Sequence, residues 1–309
     1  MKQRFIGKKR KKRLKLKFLF FVFLFIFSIY QTFQFLLKSN IKINDKILVN
    51  LMLNDVHNKE FYVFGEIFKT IKENYSPTKL LITNYYDLPK ENNKTLKVEK
   101  QENKDYQIYI YNTHQTEEYG ANTFLEQQVN PTVMMTSYIM EDIFNKNGYK
   151  TLVEERKIKD ILNKNNWKYY KSYDASRIYL NDSKEKYPTL KYFIDVHRDS
   201  LTKEKTTVSI NNKNYAKTIF LLGLENPKYE ENLEFITKIN NKMNEKYPNL
   251  SKGIYRKSGT GVNGIYNQDN SKYTILIEVG GVDNTPDEVL NSTLAFTECF
   301  MEVISTNEG

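Results

Sequence analysis

Tyr106-Gln107-Ile108-Tyr109-Ile110-Tyr111-Asn112-Thr113-His114-Gln115-Thr116-Glu117-Glu118-Tyr119 changes character halfway along its length. Its first part, Tyr106 to Tyr111, is aromatic and β-branched on both faces, the pattern of a strand buried in the middle of a sheet. Polarity then begins abruptly at Asn112, and His114 and Glu117 follow three residues apart. The chain contains only 3 histidines. One of them placed beside a carboxylate at the end of a strand is the first candidate for chemistry.

Further strands and helices alternate outward from this stretch. Asn130 as N-cap and Pro131 at the first helical position predict a helix that stops at Gly148, with Val133, Met140, Ile143 and Phe144 on one face. Tyr149 to Val153 reads as the next strand, and residues 156–185, rich in charge and in Trp167, Tyr169, Tyr170 and Tyr173, as a helix after a loop. Tyr192-Phe193-Ile194-Asp195-Val196 is a strand that delivers His197. Thr218 to Leu222 is another. A helix over Glu230–Tyr247 and a strand over Tyr273–Val279 follow. Thr285-Pro286-Asp287-Glu288 opens the last helix as a capping box. This order predicts an α/β domain with a largely parallel central sheet flanked by helices. Sites in such sheets form beyond the carboxyl ends of the strands, and His114, His197 and Glu278 all fall there.

The formal charge of +10 suggests nucleic acid until the charges are located. Residues 1–17 hold ten of the 47 basic residues and no acid, and the remaining basic residues match the 37 acidic ones. The body is neutral, so a basic surface for DNA or RNA is not supported. Phe18 to Leu37 is a twenty-residue run without a formal charge, long enough to cross a bilayer as a helix. The basic cluster before it predicts a single-pass cell-membrane protein with a cytoplasmic N-terminus and everything after Lys38 extracytoplasmic. A cleaved signal peptide fits less well, because the run is long and no Ala precedes Ala121. The expected organisation is a basic tail over 1–17, an anchor over 18–37, a juxtamembrane region and linker over 38–104, and a catalytic domain over 105–309. Cys299, the only cysteine, rules out an internal disulfide and a thiolate-rich metal site and reads as a buried helix residue. His57 reads as an exposed residue.

A catalytic zinc takes about three ligands from His and carboxylate, and a nearby carboxylate shuttles the proton. The chain offers His114, Glu117 and His197 as metal ligands and Glu278 as general base and acid. Each has a plainer reading. A His-x-x-Glu pair recurs by chance in solvated loops, and His197 would also suit a strand-end turn fixed by Asp195 or Asp199. The plain reading is hardest for Glu278, since a carboxylate after Thr274-Ile275-Leu276-Ile277 is costly to bury without a cation or a site.

Four motifs, in this order and spacing, resemble the stage II sporulation protein P family of spore-forming Firmicutes. They are Tyr111-Asn112-Thr113-His114-Gln115-Thr116-Glu117-Glu118-Tyr119, Ile194-Asp195-Val196-His197-Arg198-Asp199-Ser200, Tyr266-Asn267-Gln268-Asp269, and Ile275-Leu276-Ile277-Glu278-Val279-Gly280-Gly281 with Asn284. The resemblance covers roughly residues 105–305. It implies a phosphorylase/hydrolase-like fold and a zinc-dependent N-acetylmuramoyl-L-alanine amidase acting on peptidoglycan during sporulation and engulfment, with endopeptidase cleavage of cross-links also attributed to members. His114 and His197 would be Zn2+ ligands and Glu278 the catalytic carboxylate. For the third ligand two choices stay open: the His-x-x-Glu spacing selects Glu117, whereas related wall amidases point to Glu126, at the head of the next helix. Arg198 and Arg177 have two open roles, binding stem-peptide carboxylates or pairing with Asp195 and Asp199. Asn267, beside Tyr266, suits sugar or amide recognition, or a plain turn. The family also implies partners among sporulation membrane and wall-hydrolase proteins. Two other readings are a non-enzymatic wall-binding or scaffold protein, and a carboxypeptidase-type peptidase, which shares the His-x-x-Glu…His pattern.

Overall fold

Strand β1 (Ile108–Tyr111) is buried at all four positions and lies between β2 (Thr151–Val153) and β3 (Tyr192–Asp199), parallel to both. In the computed structural model the described residues are 45–57, 105–120 and 131–306. The basic tail, the expected anchor, most of the linker and Glu126 lie outside them. Among the described residues no helix is long and apolar enough to cross a membrane.

The six-stranded sheet has the order β2-β1-β3-β8-β6-β7, with β6 at Thr218–Gly223, β7 at Ser251–Lys257 and β8 at Thr274–Gly281. β2, β1, β3 and β8 run parallel, so the sheet is largely parallel as its alternating order predicts. β6, however, is antiparallel to β8, and β7 follows β6. The cause lies in the connection. After β3 the chain does not cross over through a long helix, as a parallel return requires. It passes a single helical turn, α5 (Lys203–Thr206), and a hairpin of β4 (Thr207–Ile210) and β5 (Lys213–Ala216). Asn211 and Asn212 form the hairpin's two-residue turn with φ of 50° and 61°, the left-handed pair such a turn demands. Nothing in the hydrophobic pattern singles out this hairpin or β7.

Both faces of the sheet are covered. On one face Tyr109, Tyr111 and Phe193 pack with Leu180 and Leu190; Leu180 belongs to α4 (Ser172–Lys186), and α3 (Ile158–Lys164) packs beside it. On the other face the rings of Tyr192, Phe235 and Phe300 meet, and Phe300 also meets Phe144. These side chains bring in α6 (Tyr229–Lys246), α7 (Pro286–Thr306) and α2 (Val133–Lys146). Each buried Phe contributes about 1.5–3 kcal/mol. Cys299 is fully buried in α7, as its helical setting predicts.

The ends of the helices show where local signals hold. The predicted capping box opens α7: Thr285 N–H donates to Glu288 Oε2 (3.0 Å) and Glu288 N–H to Thr285 Oγ1 (3.3 Å). α2 begins later than the Asn130-Pro131 pair predicts. Its N-cap is Thr132, whose hydroxyl oxygen accepts from Met134 N–H at 3.2 Å. Pro131 is held out of the helix because its carbonyl accepts from Tyr119 N–H (2.7 Å), and Glu118 bridges to Thr132. The cap is reinforced from afar by α1 (Asp45–His57): the Asp45 carboxylate accepts from Thr132 N–H at 2.8 Å and from its hydroxyl at 2.7 Å. Residues 156–185 form two helices, α3 and α4, joined by a 3-10 turn at Tyr169–Lys171.

Candidate metal centre

The site starts from the end of β1. Once the strand runs out, its next side chains are tied to β3: Asn112 Nδ2 donates to the Val196 carbonyl at 2.7 Å, and Thr113 donates through N–H (2.9 Å) and hydroxyl (2.7 Å) to the Asp195 carboxylate. All these groups are buried, where each satisfied bond resists opening. The chain then turns sharply, with Glu117 N–H donating to the His114 carbonyl at 3.0 Å. Gln115 ties the turn outward, donating to Arg156 O and accepting from Ile158 N–H, each at 2.9 Å. Arg198 closes it from β3: its N–H donates to Glu117 Oε2 (3.2 Å) and its Nε to the Glu118 carbonyl (2.8 Å). The predicted ligand loop is therefore fixed at both ends before any ion arrives.

This brings His114, Glu117 and His197 together, with one ligand atom from each within 4.8 Å of the others. Glu117 lies between the imidazoles: Oε1 is 3.5 Å from His114 Nδ1, and Oε2 is 3.5 Å from His197 Nδ1. The edge of a tetrahedron around zinc, with bonds of ~2.0–2.1 Å, is about 3.3–3.5 Å. Each imidazole nitrogen thus stands about one such edge from its nearer Glu117 oxygen, and the three donors, within 4.8 Å of one another, suit a divalent cation that accepts nitrogen and oxygen. On the far side of His197, Nε2 lies 3.0 Å from Asp195 Oδ1, although off the line of a hydrogen bond, so that nitrogen has no aligned partner. Asp195 thus sits behind the ring, the position a carboxylate takes behind a ligand histidine. Its role follows from Asp-x-His in a strand, where residues two apart share a face.

Electrostatics set the protonation of the cluster. Burial disfavours a charged His197, but Asp195 and Glu117 outweigh it and raise its pKa to about 10. Burial would raise Glu117 too, yet its contacts with both histidines hold it well below the ordinary carboxylate range. Glu278 pairs in register with His197 across β3 and β8, so their side chains share the face that carries Asp195. Burial, helped by the nearby Asp199 charge, pushes Glu278 up to about 7. Asp199 is itself 3.4 Å from Lys252 Nζ. Glu118 is exposed and is not among the clustered donors.

Aromatic rings wall the cluster. Tyr169 stacks on His114 with centroids 5.0 Å apart. Tyr173 stacks at 6.3 Å on His197, and Tyr266 meets Tyr173 edge-on at 5.3 Å. The sequence supplies these rings without indicating that they converge, because their spacing matches ordinary core packing. The remaining candidates hold parts of the structure. Arg177 donates through Nε to Asn267 Oδ1 (2.9 Å) and through Nη2 to Asp269. Asn267, at φ 55°, donates to Ser176 Oγ (2.9 Å) and Tyr173 O (3.1 Å). Together they fasten the Tyr266 loop onto α4. Arg198 spends donors on Glu118 and on the Asp199 carbonyl at 3.3 Å, so its partners are neighbouring main chain in place of Asp195 or Asp199 side chains.

Among solved structures, the CwlD amidase from Clostridioides difficile in complex with the GerS lipoprotein aligns with 65% of this chain and 99% of that one, at 11% identity and TM-score 0.41. Cwp6 from Clostridium difficile aligns with 64% of this chain and 29% of that one, at 11% identity and TM-score 0.40. A metallo-carboxypeptidase from Burkholderia cenocepacia aligns with 65% and 57%, at 10% identity and TM-score 0.37. In sequence, Stage II sporulation protein P of Bacillus subtilis (strain 168) is 35% identical over 204 residues, which are 63% of this chain and 50% of that protein. The chain thus spans about half the length of that curated relative. Residues 50–301 match the family model for Stage II sporulation protein P, and the chain belongs to that family.

Proposed function

We propose that the chain is a zinc-dependent peptidoglycan hydrolase that cleaves the amide between muramic acid and the stem peptide in sporulation. The observation that carries this reading is the His114–Glu117–His197 donor set with Glu278 beside it on one sheet face. Zinc, when bound, supplies Lewis acidity, polarising a carbonyl and acidifying water. The protein does the rest. Asp195 keeps His197 turned towards the cluster. Glu278, with a pKa near neutrality, takes the proton of the attacking water and returns it to the departing amine. The Tyr173 and Tyr266 rings narrow the approach and limit bulk water.

Family membership supports wall material as the substrate. The same reading places the protein in the cell membrane through residues 18–37, with the hydrolase outside and sporulation membrane proteins as partners. The test is release of stem peptides from purified peptidoglycan by the full chain, with product ends identified by mass. Release that stops in chelator, returns with zinc and is absent in His197→Ala supports the reading. Equal release by His197→Ala overturns it, and cuts confined to peptide–peptide bonds would assign an endopeptidase instead.

A further inference from the structure

The segment between α3 and α4 presents a feature that catalysis leaves unused. α3 ends in a Schellman motif: Asn166, at φ 52°, donates to the Asn163 carbonyl (3.1 Å), and Trp167 N–H donates to the Leu162 carbonyl (2.8 Å). Trp167 then packs on the cluster of Ile158, Leu162, Ala175 and Tyr179. Pinned by that ring, the chain makes its 3-10 turn outward, and Ser172 Oγ secures it by donating to the Tyr169 carbonyl at 2.6 Å. The result is a built ledge carrying Tyr169 at 56% and Tyr170 at 74% exposure. Tyr170 stands mostly in solvent, while Tyr169 stacks on His114 and keeps part of its ring exposed. Lys164 and Lys168, which precede them in the chain, are exposed and without an acidic partner among the described residues. The ledge is continuous with the metal centre, since Tyr169 stacks directly on His114.

We infer that this ledge is the binding site for the glycan strand of the wall, an inference that rests on the hydrolase reading above. Tyr169 and Tyr170 offer ring faces to the apolar C–H faces of pyranose rings, and Lys164 and Lys168 meet the carboxylates that the polymer carries. A strand lying there enters the mouth of the catalytic cleft past His114. Aromatic and basic residues together also suit an anionic bilayer. Continuity with the ligand His114, and a rigid turn in place of an amphipathic helix, favour the sugar polymer.

The test compares the full wild-type chain with Tyr170→Ala, Tyr170→Phe and Lys168→Ala, none of which touches the metal ligands. Retention on purified peptidoglycan sacculi, retention on anionic phospholipid vesicles, and zinc affinity by chelator competition are measured for each. Tyr170→Ala should weaken retention on sacculi about five- to tenfold, with Tyr170→Phe within about twofold of wild type because the ring face is kept. Lys168→Ala should lose a smaller, salt-dependent share, and zinc affinity should not change. Wild-type retention by Tyr170→Ala, an equal loss in Tyr170→Phe, or Tyr170-dependent retention on vesicles but not sacculi would overturn the inference. The two proposals fail separately. Tyr170-dependent retention without any stem-peptide release removes the amidase reading and keeps the ledge, whereas release unaffected by Tyr170→Ala, with unchanged retention, removes the ledge alone.

Discussion

Loading an ion onto His197 expels a proton, which makes the affinity of the centre a steep function of pH. The imidazole has a pKa of about 10, raised against the effect of burial by Asp195 and Glu117, compared with about 6.5 for an unperturbed histidine. A metal takes only the neutral ring, so each ion bound below that value displaces one proton from this residue. Glu117 adds none, because its histidine contacts keep it ionised despite its burial. The apparent zinc affinity should therefore rise about tenfold per pH unit, or about thirtyfold between pH 7.5 and 9. Calorimetry in buffers of different ionisation enthalpy should register about one proton released per ion. Stability of the metal-free chain should move the other way. A histidine whose folded pKa is raised contributes stability that is full below about 6.5 and lost as pH climbs through about 10. The metal-free protein should thus unfold more easily at pH 9 than at pH 6.5, whereas the metal-saturated protein, whose ring is neutral both folded and unfolded, should stay nearly level over the same interval. A zinc affinity flat from pH 7.5 to 9, with no buffer-dependent heat, would show His197 already neutral and refute the reasoning.

Three further outcomes follow from the geometry. Glu278→Gln should lower kcat by about 10²–10⁴-fold while retaining the metal. Because the native carboxylate has its pKa raised to about 7, it costs folding stability as pH rises from its unfolded value through 7; the same variant should therefore be about 1–3 kcal/mol more stable than wild type at pH 8 in denaturant titrations of metal-free protein. Asp195→Asn removes the negative charge behind His197 and one of the two oxygens that accept from Thr113, and should weaken zinc binding about 10- to 100-fold in chelator competition. Thr132→Ala removes the N-cap of α2 and one bond to Asp45. It should cost about 1 kcal/mol, read as a lowered Tm with zinc affinity unchanged.

Much of the sheet and part of the site were legible because they rest on short-range patterns. The run from Ile108 to Tyr111 is apolar on both faces because the strand is covered on both, and the Thr285–Glu288 box capped its helix as its residues predict. The convergence of His114, Glu117 and His197 on one point was legible from chemistry and spacing, and the setting of Glu278 beside His197 from its place in an apolar strand. What escaped depends on contacts far apart in the chain. The direction of β6 is decided by a hairpin turn of two asparagines, not by the strand's own residues. The start of α2 shifts past Pro131 because Tyr119 and Asp45 claim its first groups. Tyr169, Tyr173 and Tyr266 form one wall only after two helices and a loop have packed.

The stitching of the His114–Glu117 loop to β3 has a bearing on when a metal could be acquired there. His114 and Glu117 are neighbours, but the bonds that fix their loop reach 82 residues forward to Asp195, and His197 is no nearer. Closing so long a segment carries an entropic cost that only the paired strands offset. Until β3 is seated against β1, an unfolded chain offers an ion one local His-x-x-Glu pair, a weak chelate that loses readily to competitors. Metal capture at this cluster would therefore be a late event of assembly, and metal content would report whether the first and third strands have found each other.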